Sequence, residues 1–200
     1  MDNTVGRLNQ KQFNLIIGSV LGDGYIRQLK NRQDAFLEIN HSIKAKDYVN
    51  YKYNILKNIC QSPPQERYTD KDRTKVAYRF YTRQSEEITS IYQDFYKNRN
   101  KIIPRNLKLN PTILAIWYMD DGSKTLNKKH ETNINVYLNT QQFSLSDQKY
   151  ILYLLREINV KARLNKDKKY YRVRILKESI KTFMDYIRPE IINCMSYKLI

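Results

Sequence analysis

The sequence has few of the side chains that build disulfide bridges or zinc sites. It contains two cysteines, Cys60 and Cys194, which are far apart, and two histidines, His41 and His130. Two distant thiols favour a reducing compartment and argue against a zinc cluster. A metal site in this chain would therefore be lined by oxygen atoms, which favours hard ions such as Mg²⁺ over Zn²⁺.

Long apolar stretches are also missing. No stretch approaches the roughly 18 residues that a membrane-spanning helix needs, and the opening "MDNTVGRLNQKQF" lacks the apolar core of a signal peptide. We therefore expect a soluble, intracellular protein. The abundance of Lys, Asn, Ile and Tyr is typical of an AT-rich genome and favours an organelle, a mitochondrion or chloroplast.

Acidic residues are scarce relative to basic ones. The chain has 36 Lys and Arg against 20 Asp and Glu, a formal charge of +16, together with 17 tyrosines. This balance predicts a polyanionic partner, with nucleic acid as the leading candidate. An anionic membrane is the rival, but the basic residues are spread along the whole chain and not gathered on one amphipathic helix.

The two halves of the chain follow the same plan. The first half is predicted to run helix 12–21, Asp23, polar turn, strand 35–42, helix 46–59, strand 76–82 and helix 85–98. The second half is predicted to run helix 111–119, Asp121, polar turn, strand 135–142, helix 146–158, strand 170–176 and helix 178–191. Asp23 precedes Lys101 by 78 positions and Asp121 precedes Lys198 by 77, so the halves are duplicates in plan.

This plan of mixed helices and strands predicts an α+β fold, and we expect the strands to pair in antiparallel sheets. We expect an N-terminal half at residues 1–103 and a C-terminal half at 113–200. A linker is expected at 104–112, because "IPRNLKLNP" has a proline near each end of a short polar stretch.

The predicted strands have one apolar and one polar face. In "AFLEINHS" (35–42) and "NVYLNTQQ" (135–142), apolar residues alternate with polar ones. Arginines alternate in the same way in the later strands, at Arg79, Arg83, Arg172 and Arg174. A solvated sheet face would account for such alternation by itself. The arginines favour nucleic acid instead, because their long planar donors reach base edges and phosphates in a major groove.

The positions of two glycines and two aspartates indicate which reaction the protein could catalyse. Gly18 and Gly22 are four positions apart, so they share a helix face on which another backbone could pack closely. If the partner is the matching helix of the second half, Asp23 and Asp121 would meet at two helix C-termini, where a divalent cation would relieve their repulsion.

A bound Mg²⁺ polarises phosphates and activates water, and Lys101 and Lys198 would neutralise charge in the transition state. This arrangement favours phosphodiester hydrolysis. An isolated Asp-Gly is more often a helix stop, and an isolated lysine is usually solvated, so the prediction depends on their matched spacing.

At these residues the chain resembles a known family. "IIGSVLGDG" (16–24) and "LAIWYMDDG" (114–122) resemble two copies of the LAGLIDADG motif of homing endonucleases, and "NKIIPRNL" and "MSYKLI" resemble later segments of its two-motif monomers. The similarity spans essentially the whole chain. The second copy has Ile116 and Asp120 where the first has Gly18 and Gly22, so the two active sites could differ in rate.

The resemblance implies a monomer of two pseudo-symmetric αββαββα halves whose antiparallel sheets form a saddle over double-stranded DNA. It implies cleavage of both strands across the minor groove of a long target, leaving 3′ overhangs. Mg²⁺ would be the cofactor, with Mn²⁺ as a substitute.

The resemblance also implies the site residues. The metal-binding acids would be Asp23 and Asp121, with Gly22 and Asp120 beside them. Catalysis would involve both acids and the residues Lys101, Lys198, Asn40 and Asn139. The expected DNA contacts are Arg27, Lys30, Arg32, Glu38, Asn40, Ser42, Lys44, Arg79, Tyr81, Arg83, Lys124, Tyr137, Asn139, Gln141, Lys166, Lys168, Lys169, Arg172 and Arg174.

Two other functions agree with the same residues. The chain could be an intron-RNA maturase, with or without DNA cleavage, and host intron RNA would then be a partner. It could also be a DNA-binding protein whose motif helices survive only as a core. Affinity should fall steeply with salt in all three cases, so salt dependence alone does not separate them.

Overall fold

The computed structural model describes residues 7–127 and 130–200. Contacts divide the chain into two units, one ending at Gln93 and one running from Asp94 to Ile200. The predicted linker at residues 104–112 falls inside the second unit, and the predicted domain boundaries stay a prediction.

In its described part, from residue 7 onward, the first unit has three α-helices and four strands. Its elements are α1 (Gln10–Leu21), β1 (Tyr25–Gln28), β2 (Ala35–Ser42), α2 (Lys46–Leu56), β3 (Gln65–Tyr68), β4 (Val76–Tyr81) and α3 (Glu86–Phe95), whose last two residues cross the unit boundary. The strands form one antiparallel sheet in the order β1-β2-β4-β3. The order of elements is αββαββα, as the resemblance implied.

The second unit repeats this order after a short hairpin. The hairpin is formed by β5 (Tyr96–Lys97) and β6 (Asn100–Lys101). The following elements are α4 (Pro111–Asp121), β7 (Gly122–Asn127), β8 (His130–Leu138), α5 (Leu145–Glu157), β9 (Ala162–Asp167), β10 (Tyr170–Ile175) and α6 (Ile180–Ile187). The sheet is antiparallel in the order β7-β8-β10-β9, which confirms the predicted mixed fold with antiparallel strands.

Short polar side chains cap the N-termini of the helices α1, α4 and α5. Asn9 accepts the backbone N–H of Gln12 at 2.9 Å, and the Gln12 side chain accepts that of Asn9 at 3.1 Å, which forms a capping box for α1. Asn110 caps α4 and is followed by Pro111 at the first helical position. Ser144 caps α5. These caps satisfy backbone donors that the first helical turn leaves without partners.

The alternation of apolar residues predicted two strands per half, and the structure has four. All four residues of β3 are exposed, and in β1 only Ile26 is fully buried among exposed neighbours. These are edge strands that need no apolar face of their own, so their sequences resemble polar turns. β7 and β9 are the corresponding outer strands of the second sheet. The order implied by the family resemblance was correct, and the pattern-based count of strands was wrong.

The predicted strand 135–142 is displaced in the structure. β8 begins at His130 and ends at Leu138, so Asn139 and Gln141 follow the strand and do not lie in it. Thr140 is fully buried and donates its hydroxyl to Gln148 in α5, and its carbonyl accepts the N–H of Phe143 at 3.0 Å. A buried polar side chain needs a partner, and satisfying this one turns the chain away from the sheet.

One face of each sheet is buried beneath helices of the same unit. Leu37 and Ile39 in β2 and Val136 and Leu138 in β8 are fully buried. In the first unit α2 packs on β2 and β4, and in the second α5 packs on β9 and β10. The polar face of each sheet is the one not covered by these helices, as the alternation predicted.

Trp117 and Tyr118 of α4 are fully buried, and burial raises the pKa of the Tyr118 hydroxyl. Burial also raises the pKa of the Cys60 thiol to about 12, although nearby Arg83 opposes the shift, whereas Cys194 is exposed. Among the described residues, no helix combines the length and apolar character needed to cross a bilayer.

Gly122 lies where a side chain cannot fit. A Cβ atom there would overlap the Tyr118 ring and its carbonyl oxygen. The ring cannot move aside easily, because Tyr118 is fully buried and its hydroxyl donates to the Lys198 carbonyl at 3.0 Å. Gly122→Ala is therefore expected to lower the free energy of unfolding by about 1–3 kcal/mol.

Chemical denaturation of the purified protein measures this change. The control is Thr125→Ala, at an exposed position of the same strand β7, which should stay within about 0.5 kcal/mol of the wild type. Equal stability of the Gly122→Ala and Thr125→Ala variants would contradict the expected overlap.

Candidate functional site

In each unit an aspartate lies at the junction between the motif helix and the first strand of the sheet. In the first unit Asp23 follows the end of α1, where the Gly24 N–H donates to the Ser19 carbonyl at 2.7 Å. A Cβ atom at Gly24 would lie 2.8 Å from the same carbonyl oxygen, so the tight turn requires glycine. The Asp23 side chain is 47% exposed, and its Oδ2 lies 3.5 Å from Nδ1 of His41.

In the second unit Asp121 is the last residue of α4, and β7 begins directly after it. Its Oδ2 accepts from Nε2 of Gln142 at 3.2 Å, and its carbonyl accepts the N–H of Asn139 at 3.0 Å. Asp120 is half-buried one residue earlier in the helix. Both carboxylates are therefore at the negative end of the α4 dipole, a position that disfavours extra negative charge.

Extension of the strand register places the two aspartates at equivalent positions relative to their sheets. Tyr25 pairs with Glu38 in the first sheet, and Ser123 pairs with Tyr137 in the second. Extending each register by two residues sets Asp23 opposite Asn40 and Asp121 opposite Asn139. By this extension each aspartate would face the asparagine of its own unit, and the catalytic roles predicted for Asn40 and Asn139 stay predictions.

Lys198 binds the end of α4. Its ammonium donates to the carbonyls of Tyr118 at 3.2 Å, Gly122 at 3.0 Å and Asp120 at 3.4 Å, and also to that of Met119. A cation at a helix C-terminus stabilises the exposed carbonyls and the dipole. The predicted catalytic lysine is therefore beside the acids of its own unit, where it neutralises the helix end.

Lys101 lies in β6, where it pairs with Tyr96 and is half-buried. It belongs to the second unit, so its predicted action together with Asp23 of the first unit stays a prediction.

The polar sheet face of the first unit forms an open basic groove. Arg27, Arg32, Arg79 and Arg83 line a cavity of about 890 Å³ together with Tyr81. The guanidinium of Arg79 lies 5.6 Å from the centre of the Tyr81 ring. Lys30, Ser42 and Lys44 are exposed near the strand ends. The groove can accept a polyanion along the strands.

Glu38 and Tyr137 are buried beneath arginines of their sheet faces. Glu38 is 6% exposed and its carboxylate binds Nε of Arg27 at 2.5 Å. Tyr137 is 7% exposed and lies under the guanidinium of Arg172, 3.8 Å from its ring centre. Each therefore holds an arginine in place, and the DNA contacts predicted for both residues stay predictions.

The polar face of the second unit is also basic. Arg172 donates to Oδ1 of Asn139 at 3.4 Å, and Arg174 donates to Oδ1 of Asn135 at 2.5 Å. Gln141 donates to Asp167 at 2.9 Å. Lys124, Lys166, Lys168 and Lys169 are exposed, the last two at the turn between β9 and β10.

Four residues of this region were not predicted. In the first unit, Nδ1 of His41 lies 3.5 Å from Oδ2 of Asp23. Gln142 contacts Asp121. Arg67 in β3 and Arg163 in β9 are exposed, and their partners Ala77 and Arg174 belong to the polar sheet faces. A correct prediction of the two outer strands would have revealed both arginines.

Comparisons with known proteins agree with this geometry. The LAGLIDADG DNA endonuclease family pattern matches residues 13–183. The probable intron-encoded endonuclease 1 of Wickerhamomyces canadensis is 29% identical over 96% of this chain and 85% of its own length. The homing endonuclease I-WcaI, solved bound to its DNA recognition sequence, has a TM-score of 0.87 at 28% identity, covering 96% of this chain and 87% of its own.

A maturase is also among the relatives. The cytochrome b mRNA maturase bI2 of Saccharomyces cerevisiae is 30% identical over 100% of this chain. The chain spans about half of that relative, 49% of its length.

Removing the Lys198 ammonium should destabilise the second unit. Lys198→Met leaves the last α4 carbonyls without their charged donor and is expected to cost about 1–3 kcal/mol in the free energy of unfolding. The matched control is Lys181→Met, because the Lys181 side chain is 88% exposed and makes one i,i+4 ion pair, for which a loss under about 0.5 kcal/mol is expected. Urea denaturation measures both, and equal losses would refute the role of Lys198 at the helix end.

Proposed function

Because the chain belongs to the LAGLIDADG DNA endonuclease family, we propose that it is a site-specific endonuclease. It hydrolyses both strands of a long duplex DNA target with divalent metal ions and leaves 3′ overhangs. The observation that carries this proposal is the repeated local geometry. In each unit an aspartate lies at or just beyond the end of the motif helix, directly before the first strand of an arginine-bearing sheet, and extension of the strand register sets it opposite an asparagine.

The donor set fits a hard cation. Asp23 and Asp121 offer carboxylate oxygens at partly exposed positions, with Gly22 and Asp120 next to them. Oxygen donors of this kind suit Mg²⁺, and Mn²⁺ would substitute. When bound, the ion supplies Lewis-acid polarisation of the scissile phosphate and a lowered pKa for water.

Side chains of the protein would neutralise charge and orient water at the site. Lys198 holds positive charge beside the acids of the second unit, and Lys101 is proposed to do the same for the first motif. Asn40 and Asn139 would orient water near the two acids through their amide groups. The sheet faces would bind the duplex through phosphate and base-edge contacts, and a single chain with both motifs would act as a monomer.

Both acids are expected to be necessary for double-strand cleavage. Asp23→Asn and Asp121→Asn should each lower the rate of double-strand cleavage by more than about 100-fold, because several kcal/mol of transition-state stabilisation depend on the carboxylate-bound ion. The measurement is a gel-based cleavage assay with Mg²⁺ on a target selected from a duplex library. The control is Asp94→Asn, at an exposed position on α3, which should cleave like the wild type.

Duplex binding should survive both substitutions. If a target is bound but never cut by the wild type, or cut equally by the Asp23→Asn variant, the chain is a DNA-binding protein and not an endonuclease.

Substitution of arginines on the sheet faces should show which of them contact the DNA backbone and which contact the bases. Arg79→Ala and Arg172→Ala are each expected to weaken duplex binding. A phosphate contact would lower the slope of log affinity against log salt by about one, whereas a base contact would relax sequence preference by about 1–3 kcal/mol at one position. Fluorescence anisotropy over a salt series measures this. Lys57→Ala, exposed at the end of α2, is the control, and an unchanged affinity in both arginine variants would remove the sheet faces from the DNA interface.

A second candidate function is intron-RNA maturation. The yeast relative named as an mRNA maturase matches the whole chain at 30% identity, as high as that of the endonuclease relatives above. The two functions would be separable, since RNA binding need not depend on the acids that cleavage requires. An organellar location, proposed from composition, would suit either activity.

A further inference from the structure

A basic and aromatic stripe follows the outer side of α5. Lys149, Tyr153 and Arg156 are spaced at i, i+4 and i+7, so their side chains follow one another along one face of the helix. Lys149 and Arg156 are exposed, and Tyr153 has 52% of its surface accessible. The opposite face, with Ile151 and Leu155, is fully buried. The stripe therefore presents one aromatic ring between two cations.

Tyr153 extends a cluster of planar groups. Its ring lies 5.7 Å from that of Tyr150 at an interplanar angle of 17°. The Arg105 guanidinium lies 4.7 Å from the centre of the Tyr150 ring, and the Tyr150 hydroxyl donates to the Arg105 carbonyl. Arg105 is held in turn by Asp147, a buried carboxylate 3.0 Å away. The ring of Tyr153 is thus positioned before any ligand arrives, which reduces the entropy lost on binding.

These groups border a groove of about 390 Å³. One wall is the segment from Arg105 to Leu109, which includes the exposed Lys108, and the other is α5. Glu157 is the one acidic side chain among the residues that line it, against the two cations Arg105 and Lys108. With Lys149 and Arg156 on the adjoining helix face, the surroundings attract an anion.

The groove is separate from the proposed duplex-binding face of the same unit. α5 packs on β9 and β10 through the buried side of the sheet, whereas Arg172 and Arg174 are on the polar side. The stripe of α5 faces away from the sheet that it covers. A ligand here would not occupy the strand surface to which we assign duplex DNA.

The corresponding helix of the first unit lacks this surface. α2 carries a similar ring pair, Tyr48 and Tyr51, whose centres are 6.5 Å apart at 13°. Tyr48 is 1% exposed and Tyr51 is only partly accessible. Both helices carry a pair of stacked rings, but the Tyr48–Tyr51 pair does not present an exposed ring between cations as α5 does.

We propose that this groove binds an unpaired nucleotide of single-stranded RNA, with its base stacked on Tyr153 and the flanking phosphates near Lys149 and Arg156. Splayed-out bases of RNA loops are commonly recognised by stacking on aromatic rings, and the bases of duplex DNA are not free to do so. The inference rests on the second candidate function, intron-RNA maturation, and assigns it a surface distinct from the cleavage site.

The test is the affinity of the full chain for a fluorescein-labelled single-stranded RNA, a mixed-sequence 15-mer, measured by anisotropy in EDTA. Tyr153→Ala is expected to weaken RNA binding by about 5- to 100-fold, the range for loss of one base stack. Tyr153→Phe keeps the ring and should bind like the wild type. Arg156→Glu should weaken binding more than Lys57→Glu, which makes the same charge change on the exposed end of α2.

Duplex DNA cleavage provides the second readout. Tyr153→Ala should cut the selected target at the wild-type rate, so that a loss of RNA binding cannot come from unfolding. If Tyr153→Ala lowers both activities, Tyr153→Leu is tested in its place, because leucine retains apolar bulk without an aromatic face. This variant too is expected to bind RNA more weakly and to cleave DNA at the wild-type rate.

Unchanged RNA affinity of the Tyr153→Ala variant overturns the inference and leaves the endonuclease proposal intact. Equal weakening by Arg156→Glu and Lys57→Glu also overturns it, because binding would then follow net charge alone. A DNA 15-mer of the same sequence is the final arm, and tighter binding of that strand would reject RNA as the ligand.

Discussion

A carboxylate at the C-terminal end of a helix is the constraint around which both units are organised. The last carbonyls of a helix carry partial negative charge, so an acid beside them is destabilised unless donors or cations compensate. The two units meet this requirement differently. In the second, the ammonium of Lys198 binds the terminal carbonyls of α4. In the first, the N–H groups of Gly22 and Gly24 close the end of α1, and His41 lies near the Asp23 carboxylate.

This difference explains why two similar motifs have dissimilar sequences. Where the helix ends early, glycines allow the backbone to turn back on the Ser19 carbonyl. Where it continues to Asp121, a distant lysine supplies the positive charge and the strand begins at once.

The sheet faces show a second form of preorganisation. Arginines that could contact DNA are supported from beneath by buried groups, Arg27 by Glu38 and Arg172 by Tyr137. A long flexible side chain held in this way loses less conformational entropy when it binds. The helices that cover the two sheets expose different rings, because Tyr48 of α2 is buried and Tyr153 of α5 is exposed.

The paired motifs, the alternating β2 and β4 and the buried helices were all predictable, because each leaves a periodic or repeated pattern of residues. The outer strands β3 and β9 were not, since an edge strand with little burial carries no alternation, and Arg67 and Arg163 were missed with them. The burial of Glu38 and Tyr137 was not predictable, because burial depends on neighbours far along the chain. The duplicated plan, the family and the candidate acids can be read from the sequence alone, whereas the catalytic role of those acids stays a prediction. The tertiary structure decided which polar groups are exposed, which ones hold others in place and where His41 and Lys198 lie, because strand pairing and helix packing bring together residues that local sequence does not relate.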